Sequence, residues 1–430
     1  MKATFSLASA LAFHYLCHCI ARPAGADVCV SHGGLSGCAI SDLEFNEMRF
    51  FPLLAILLLL ASCDKDDDVR TLPAKDLTYI VYMAADNSLS GNVESNLSGI
   101  EAGLRAMDVA INTVAFVDVG DGGAQLVSFT RDDGGSVTRE VIGEYGDVDA
   151  VDPDFMADVI AGVAARYPSQ HYVLDLWSHG MGWLPASAPS LPYGRWFGQD
   201  GQHFMDIRDL RSALAATGLH FDFLMFDACL MATVEVAYEL RGVADYIVAS
   251  PIEVWEMGFP YNSIMPALQS RHPEIAVAEA YAGYYDGVYS PAYGIEMTGA
   301  ISVIDCAALD SLAGVTRRQL ADVAPVYDET FVDELLRYDR YTYHYLYDYG
   351  DYMTRLLGAD GVAPVIGALG QALPFRYATD SFGYGSQTIY LDADRYTGLG
   401  SYVPRQSYTA WNEYYKTLQW FEDIQLLPIY

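Results

Sequence analysis

Residues 221–235 read FDFLMFDACLMATVE. An apolar run of strand length ends in Asp227 and Cys229, and helical spacing resumes over 230–241. A strand buried on both faces, a polar turn and then a helix form the repeating unit of a parallel α/β sheet. Ligands and catalytic groups gather outside the carboxyl ends of the strands in such sheets. Cys229 therefore has two readings: a small core residue, or a nucleophile at a strand end.

The same unit recurs on both sides of this stretch. LTYIVYMAA (77–85) reads as a buried strand, followed by the polar turn DNSLSG and a helix over about 92–107. INTVAFVDV (111–119) is a second strand, and AQLVSFTR and SVTREVI flank Asp132-Asp133-Gly134-Gly135, a hairpin signal. Residues 153–166 and 206–216 have helical spacing, the latter closed by Gly218. HYVLDLWSHG (171–180) and DYIVAS (245–250) complete the strands of a mostly parallel sheet. From about 299 the pattern is less regular: a strand over 299–306, a helix over 307–325 and a strand over 387–392. The tyrosine-dense run RYDRYTYHYLYDYGDY (337–352) predicts a packed helix with polar tips, stacking on sugars being the other reading. No fixed-period repeat occurs, which excludes a solenoid or propeller.

Two of these strands deliver reactive side chains to one edge. The first ends in Ser178-His179-Gly180, the second in Asp227-Ala228-Cys229. A separation of 50 residues leaves room for a helical crossover between them. Together they suit thiol acyl transfer, with Cys229 attacking a carbonyl and His179 moving the proton. Helical spacing after Cys229 predicts a thiol at a helix start, where its pKa falls. Gly180 lets its backbone N–H join that of Cys229 in an oxyanion hole. His171, His203, His220, His272 and His344 have no motif around them and read as surface or structural residues, and Cys306 has the apolar setting of a buried thiol.

The chain of 430 residues carries a formal net charge of −32, which argues against a nucleic-acid partner, since phosphate binding needs a basic face. Five of the seven cysteines fall within the first 63 residues. There, MRFFPLLAILLLLASC (48–63) has a basic start, an apolar stretch too short to span a bilayer, and small residues before Cys63. It reads as a signal peptide over 48–62 whose end resembles a bacterial lipobox, so that Cys63 takes the lipid. Met48 is then the initiator and residues 1–47 are upstream of the true start. The run DKDDD opens an acidic tether over 63–76 and resembles the surface-export signal of Bacteroidetes lipoproteins. These features place the domain over 77–430 on the outer membrane and at the cell surface, held by lipid alone.

YIVYMAADNSLSG (79–91), LDLWSHGMGW (174–183), FDACLMATVEVAYELRGVADYIVAS (226–250) and GFPY (258–261) resemble the clostripain family of cysteine peptidases, relatives of caspases and gingipains. The resemblance implies a caspase-like three-layer sandwich and a cell-envelope endopeptidase with peptide or protein substrates. It assigns the catalytic dyad to Cys229 and His179 and puts Asp227 beside the primary specificity pocket. Family members cleave after Arg or Lys and typically carry an Asp just before the Gly of this last segment. Here Met257 holds that position, with Glu256 adjacent, so a basic and an altered preference both stay open. Cleavage at a basic residue between the His and the Cys activates many members, which points to Arg195 in the glycine-rich LPYGRWFGQDG. Some members need calcium; no cofactor is demanded by the residues themselves, which show neither an EF-hand loop nor a zinc motif. The alternative function is a catalytically weak or inactive surface lipoprotein that binds peptide or glycan.

Overall fold

A computed structural model describes residues 75–120, 122–185, 197–291, 294–323, 329–341, 343–383 and 385–425. The expected signal peptide, the lipid-bearing Cys63, most of the acidic tether and Arg195 lie outside the described residues.

Nine strands form one sheet: β1 (Lys75–Ala84), β2 (Asn112–Asp118), β3 (Ala124–Arg131), β4 (Val137–Gly146), β5 (Ser169–Trp177), β6 (Phe221–Asp227), β7 (Ala244–Ala249), β8 (Ala300–Asp305) and β9 (Phe375–Ala378). Their order across the sheet is β9-β8-β7-β6-β5-β1-β2-β3-β4. The five central strands β2, β1, β5, β6 and β7 are parallel, and an antiparallel pair flanks them on each side. Because β8 and β9 come from the segment after residue 299, that segment is built into the sheet.

Alternation along the central strands sorts side chains into two cores. Ile80, Tyr82, Leu174, Leu176, Leu224 and Phe226 face one side. Tyr79, Val81, Val173, Trp177, Phe223 and Met225 face the other. Helices α1 (Val93–Arg105), α5 (Tyr261–Ala267) and α6 (Pro273–Tyr284) supply the second core. The first core is filled by α2 (Pro153–Arg166), α3 (Ile207–Ala216), α4 (Val234–Leu240) and α7 (Leu309–Leu320). The result is the expected three-layer α/β sandwich. Local chemistry fixes the helix starts: Asp152 accepts a hydrogen bond from Phe155 N at 2.9 Å ahead of Pro153, and Thr233 accepts from Val236 N at 3.2 Å.

Three expectations change. The helix after Cys229 begins only at Val234, because residues 228–233 are held as a turn. Of the tyrosine run, only the stretch from Tyr349 onward is helical; Tyr338, Tyr345 and Tyr347 are buried in irregular chain and a short strand, Leu346–Asp348. The strand expected over 387–392 shrinks to Ile389–Tyr390, paired with Ser381–Phe382.

Candidate active site

Strands β5 and β6 run side by side in parallel, with Trp177 opposite Asp227. Two residues further along each strand stand His179 and Cys229, on the same rim of the sheet. Both line one cleft of about 270 Å³, together with Ser88, Leu89, Trp177, Asp227, Val254, Trp255 and Glu256. The cleft sits beside the point where the strand order reverses, since β1 lies between β2 and β5. Ser88 comes from the turn after β1, a contribution the sequence reading missed although DNSLSG follows a strand aimed at the same rim.

The turn that carries Cys229 is tied to its neighbour strand. Leu230 N donates to Ile252 O and Ala232 N to Ser250 O, both at 2.9 Å, which ties the turn to the segment just after β7. Leu230 has φ of 63°, an uncommon conformation for a non-glycine residue, with its side chain fully buried. On the β5 side, Gly180 packs directly on this turn. A Cβ there would lie 2.5 Å from the Cys229 carbonyl oxygen and 3.1 Å from its nitrogen. Among the described residues neither the Gly180 nor the Cys229 N–H donates to another group.

At rest the two reactive side chains are each held by other partners. His179 Nε2 lies 2.9 Å from Ser88 Oγ, and burial lowers the imidazole pKa. Val254 N donates to Cys229 Sγ at 3.2 Å, and the thiol donates to Val254 O at 3.6 Å. Burial, then the nearby Glu253 carboxylate, pushes the thiol up to about 12. The expected helix-terminus activation of this thiol is therefore absent, because four residues, 230–233, separate it from α4. Glu253 is itself held by Arg340, whose Nε and Nη2 donate to its two carboxylate oxygens at 2.6 and 3.0 Å.

Asp227 lies behind the thiol, nearly fully buried. Its Oδ2 accepts from Phe259 N at 2.8 Å and lies 3.0 Å from Tyr261 Oη, and burial pushes the carboxyl up to about 7. Glu256 stands exposed at the cleft rim. Met257 turns instead toward a neighbouring hollow lined by Asn96, Pro260 and Tyr284. Asp175, inside β5, is the buried residue nearest in chemistry to Asp227, and nothing in the sequence reading singled it out. Among the described residues no group of three or more His, Cys, Asp or Glu side chains is arranged to hold a metal ion.

The sequence profile of the clostripain family matches residues 81–425. Clostripain of Hathewaya histolytica is 24% identical over 227 residues, which are 45% of this chain and 42% of that protein. The match thus spans less than half of that relative's length. A secreted C11 cysteine protease from Bacteroides thetaiotaomicron, solved with an irreversible peptide inhibitor, superposes with a TM-score of 0.72 at 30% identity over 81% of this chain and 99% of that one. An inactive zymogen C11 protease from Parabacteroides distasonis gives a TM-score of 0.70 at 32% identity over 82% of this chain and 99% of that one.

Proposed function

The chain belongs to the clostripain family of cysteine peptidases, and from that premise we propose that it is an endopeptidase whose nucleophile is Cys229 and whose proton carrier is His179. The observation that carries this reading is the single cleft lined by both side chains, at the ends of adjacent strands in register.

The resting pair is neutral. A thiol pushed up to about 12 keeps its proton, and an imidazole with a lowered pKa is free to receive it. As the substrate carbonyl enters, Cys229 Sγ forms the S–C bond while its proton passes to His179. Negative charge develops on the carbonyl oxygen, where the N–H groups of Gly180 and Cys229 receive it. His179 then protonates the leaving amine as the C–N bond breaks. Water, deprotonated by the same imidazole, releases the acyl group and restores the thiol.

The walls of the cleft suit a long cationic side chain. Trp255 offers apolar and π surface to its stem, and Asp227 and Glu256 supply negative charge. Met257 lies outside this cleft, so it neither fills the pocket nor removes charge from it. Arg or Lys before the scissile bond is therefore the preferred substrate class. Lipid attachment at Cys63 and a place on the outer membrane complete the reading, supported by the segment 48–68. Cleavage at Arg195, within the segment LPYGRWFGQDG (191–201), is the proposed activation step.

The test is a peptide library cut by the purified protein, with Cys229→Ala and His179→Ala alongside. Loss of turnover in both, and covalent capture of Cys229 by a peptide carrying a thiol-reactive group, is the expected result. Turnover that survives Cys229→Ala would refute Cys229 as the nucleophile, and capture unaffected in His179→Ala together with no turnover by the wild type would leave a peptide-binding protein in place of a peptidase.

A further inference from the structure

Two buried carboxylates face one hydroxyl behind the cleft. Tyr261 Oη lies 2.8 Å from Asp175 Oδ2 and 3.0 Å from Asp227 Oδ2. A hydroxyl has one proton and can donate to one of them only. If both carboxylates were ionised, one of these contacts would set an oxygen against an oxygen with no proton between them. No lysine, arginine or histidine pairs with either carboxylate among the described residues. Two like charges buried this close without a counterion cannot both persist near neutral pH. The pair therefore holds a proton.

The surroundings say where it resides. Asp227 receives Phe259 N–H and borders the cleft, both of which favour its charged form. Asp175 is fully enclosed; the Asp227 backbone N–H acts on its carboxyl, yet its Oδ1 makes no full hydrogen bond, so burial outweighs these donors. Tyr79 on β1 donates to Asp175 Oδ2 at 2.8 Å. The other polar groups facing the pair are the Tyr281 hydroxyl on α6 and Asn96 on α1, both uncharged, and the Cys229 thiol. A consistent chain of donors follows: Asp175 Oδ2–H to Tyr261 Oη, Tyr261 O–H to Asp227 Oδ2, and Phe259 N–H to the same oxygen.

We propose that Asp175 is a positioning residue for specificity: it stores the proton of this carboxylate pair and so leaves the negative charge on Asp227, where a cationic substrate side chain meets it. This rests on the reading of Asp227 as the wall of the specificity pocket. A neutral acid at position 175 differs from a merely structural aspartate in two ways. Asparagine can replace it with its Nδ2 in the place of Oδ2, giving one N–H to Tyr261 and the other to Tyr79. It also carries an infrared acid carbonyl band at a pH where exposed carboxylates have lost theirs.

The experiment compares wild type, Asp175→Asn, Asp227→Asn and Tyr261→Phe. Each is measured for kcat/KM on paired peptides with Lys or Gln before the scissile bond, and for variant-minus-wild-type infrared spectra at about pH 8. The subtraction removes the band of other buried acids such as Glu235. Expected for Asp175→Asn is loss of an acid carbonyl band with the Lys-to-Gln ratio kept within about threefold. A band that stays, or a ratio that falls tenfold or more, overturns the proposal. If Asp175→Asn does not fold, Tyr261→Phe decides: the band must shift when its acceptor is removed, and an unshifted band overturns it. Asp227→Asn tests the underlying reading separately. Should the wild-type ratio be near one, or survive Asp227→Asn, the pocket reading fails, whatever the infrared band shows about the proton.

Discussion

The most demanding consequence of the site is that its nucleophile reacts slowly when no substrate is present. Cys229 has its thiol pushed from an ordinary 9.0 up to about 12 by burial and by Glu253. At about pH 7.5 a thiol titrating near 9 is roughly 3% thiolate, and one titrating near 12 roughly 0.003%. That thousandfold deficit is partly offset, because a more basic thiolate is a better nucleophile. With a Brønsted coefficient of about 0.45, three pH units of basicity return roughly twentyfold. Cys229 should therefore react with a small aromatic disulfide about fiftyfold more slowly than a cysteine in an unfolded chain, and more slowly still if Val254 blocks the approach. The assay is peptide-resolved mass spectrometry of Cys229 modification over about pH 6–10, which separates it from the amino-terminal cysteines. The logarithm of the rate should climb with unit slope across that range. Glu253→Gln removes the second cause of the shift and leaves Arg340 uncompensated beside the thiol, so it should speed the reaction several-fold. A rate that levels off below about pH 8, or a Cys229 that outpaces an unfolded thiol, would refute the neutral-pair account.

Other consequences follow from single contacts. Gly180→Ala sets a methyl group 2.5 Å from the Cys229 carbonyl oxygen, so the backbone must move; steady-state kinetics should show kcat falling by about 10²–10³ with KM little changed, the usual loss for one oxyanion donor. Ser88→Ala removes the 2.9 Å partner of His179 Nε2 and should lower kcat/KM about fivefold, equivalent to roughly 1 kcal/mol, without shifting thermal unfolding. Asp227, pushed up to about 7, is charged above that pH and neutral below it; the Lys-to-Gln ratio of kcat/KM should therefore fall as pH drops through about 7, a loss that Asp227→Asn abolishes. Fully buried Glu235 is pushed up to about 7, so the folded state binds its proton more tightly than the unfolded state does. Its stabilising contribution is complete below the unfolded value and is lost as pH rises toward 7. Denaturant titrations should accordingly show Glu235→Gln gaining on wild type by roughly 3 kcal/mol between about pH 4.5 and 7.5.

Much of this architecture was legible because a parallel strand buried on both faces leaves an unbroken apolar run, as in Phe223–Phe226 and Val114–Val117. The Asp132–Gly135 turn marked the β3–β4 hairpin, and Pro153 with Asp152 marked a helix start to the residue. What escaped was decided by partners distant in sequence. Leu230 to Thr233 have helix-compatible spacing, but Leu230 and Ala232 spend their N–H groups on Ile252 and Ser250, and that pairing overrides propensity. The tyrosine run was misread for a similar reason. Asp339 gathers Tyr341 N, Tyr345 N and Leu346 N around one buried carboxylate, which bends the chain where a helix was expected. Asp175 did carry a signal, since an aspartate in the middle of an apolar strand must find donors inside the core.

These omissions share a physical root. The dyad is named by residue type and strand position, both local properties, whereas its reactivity is set by charges brought in from elsewhere. Glu253 and Asp227 raise the thiol pKa, and Arg340, from 87 residues beyond Glu253, lowers it. In this field burial and the two carboxylates disfavour a free thiolate and outweigh the Val254 N–H and Arg340, which favour it. A substrate whose cation settles against Asp227 cancels part of the negative potential at Sγ just as the scissile carbonyl arrives. On the proposed reading, the side chain that selects the substrate also eases proton transfer from Cys229 to His179, so binding energy at the pocket is expressed in the chemical step. A neutral side chain of equal length fills the same walls without that electrostatic help, and its penalty belongs in kcat as well as in KM.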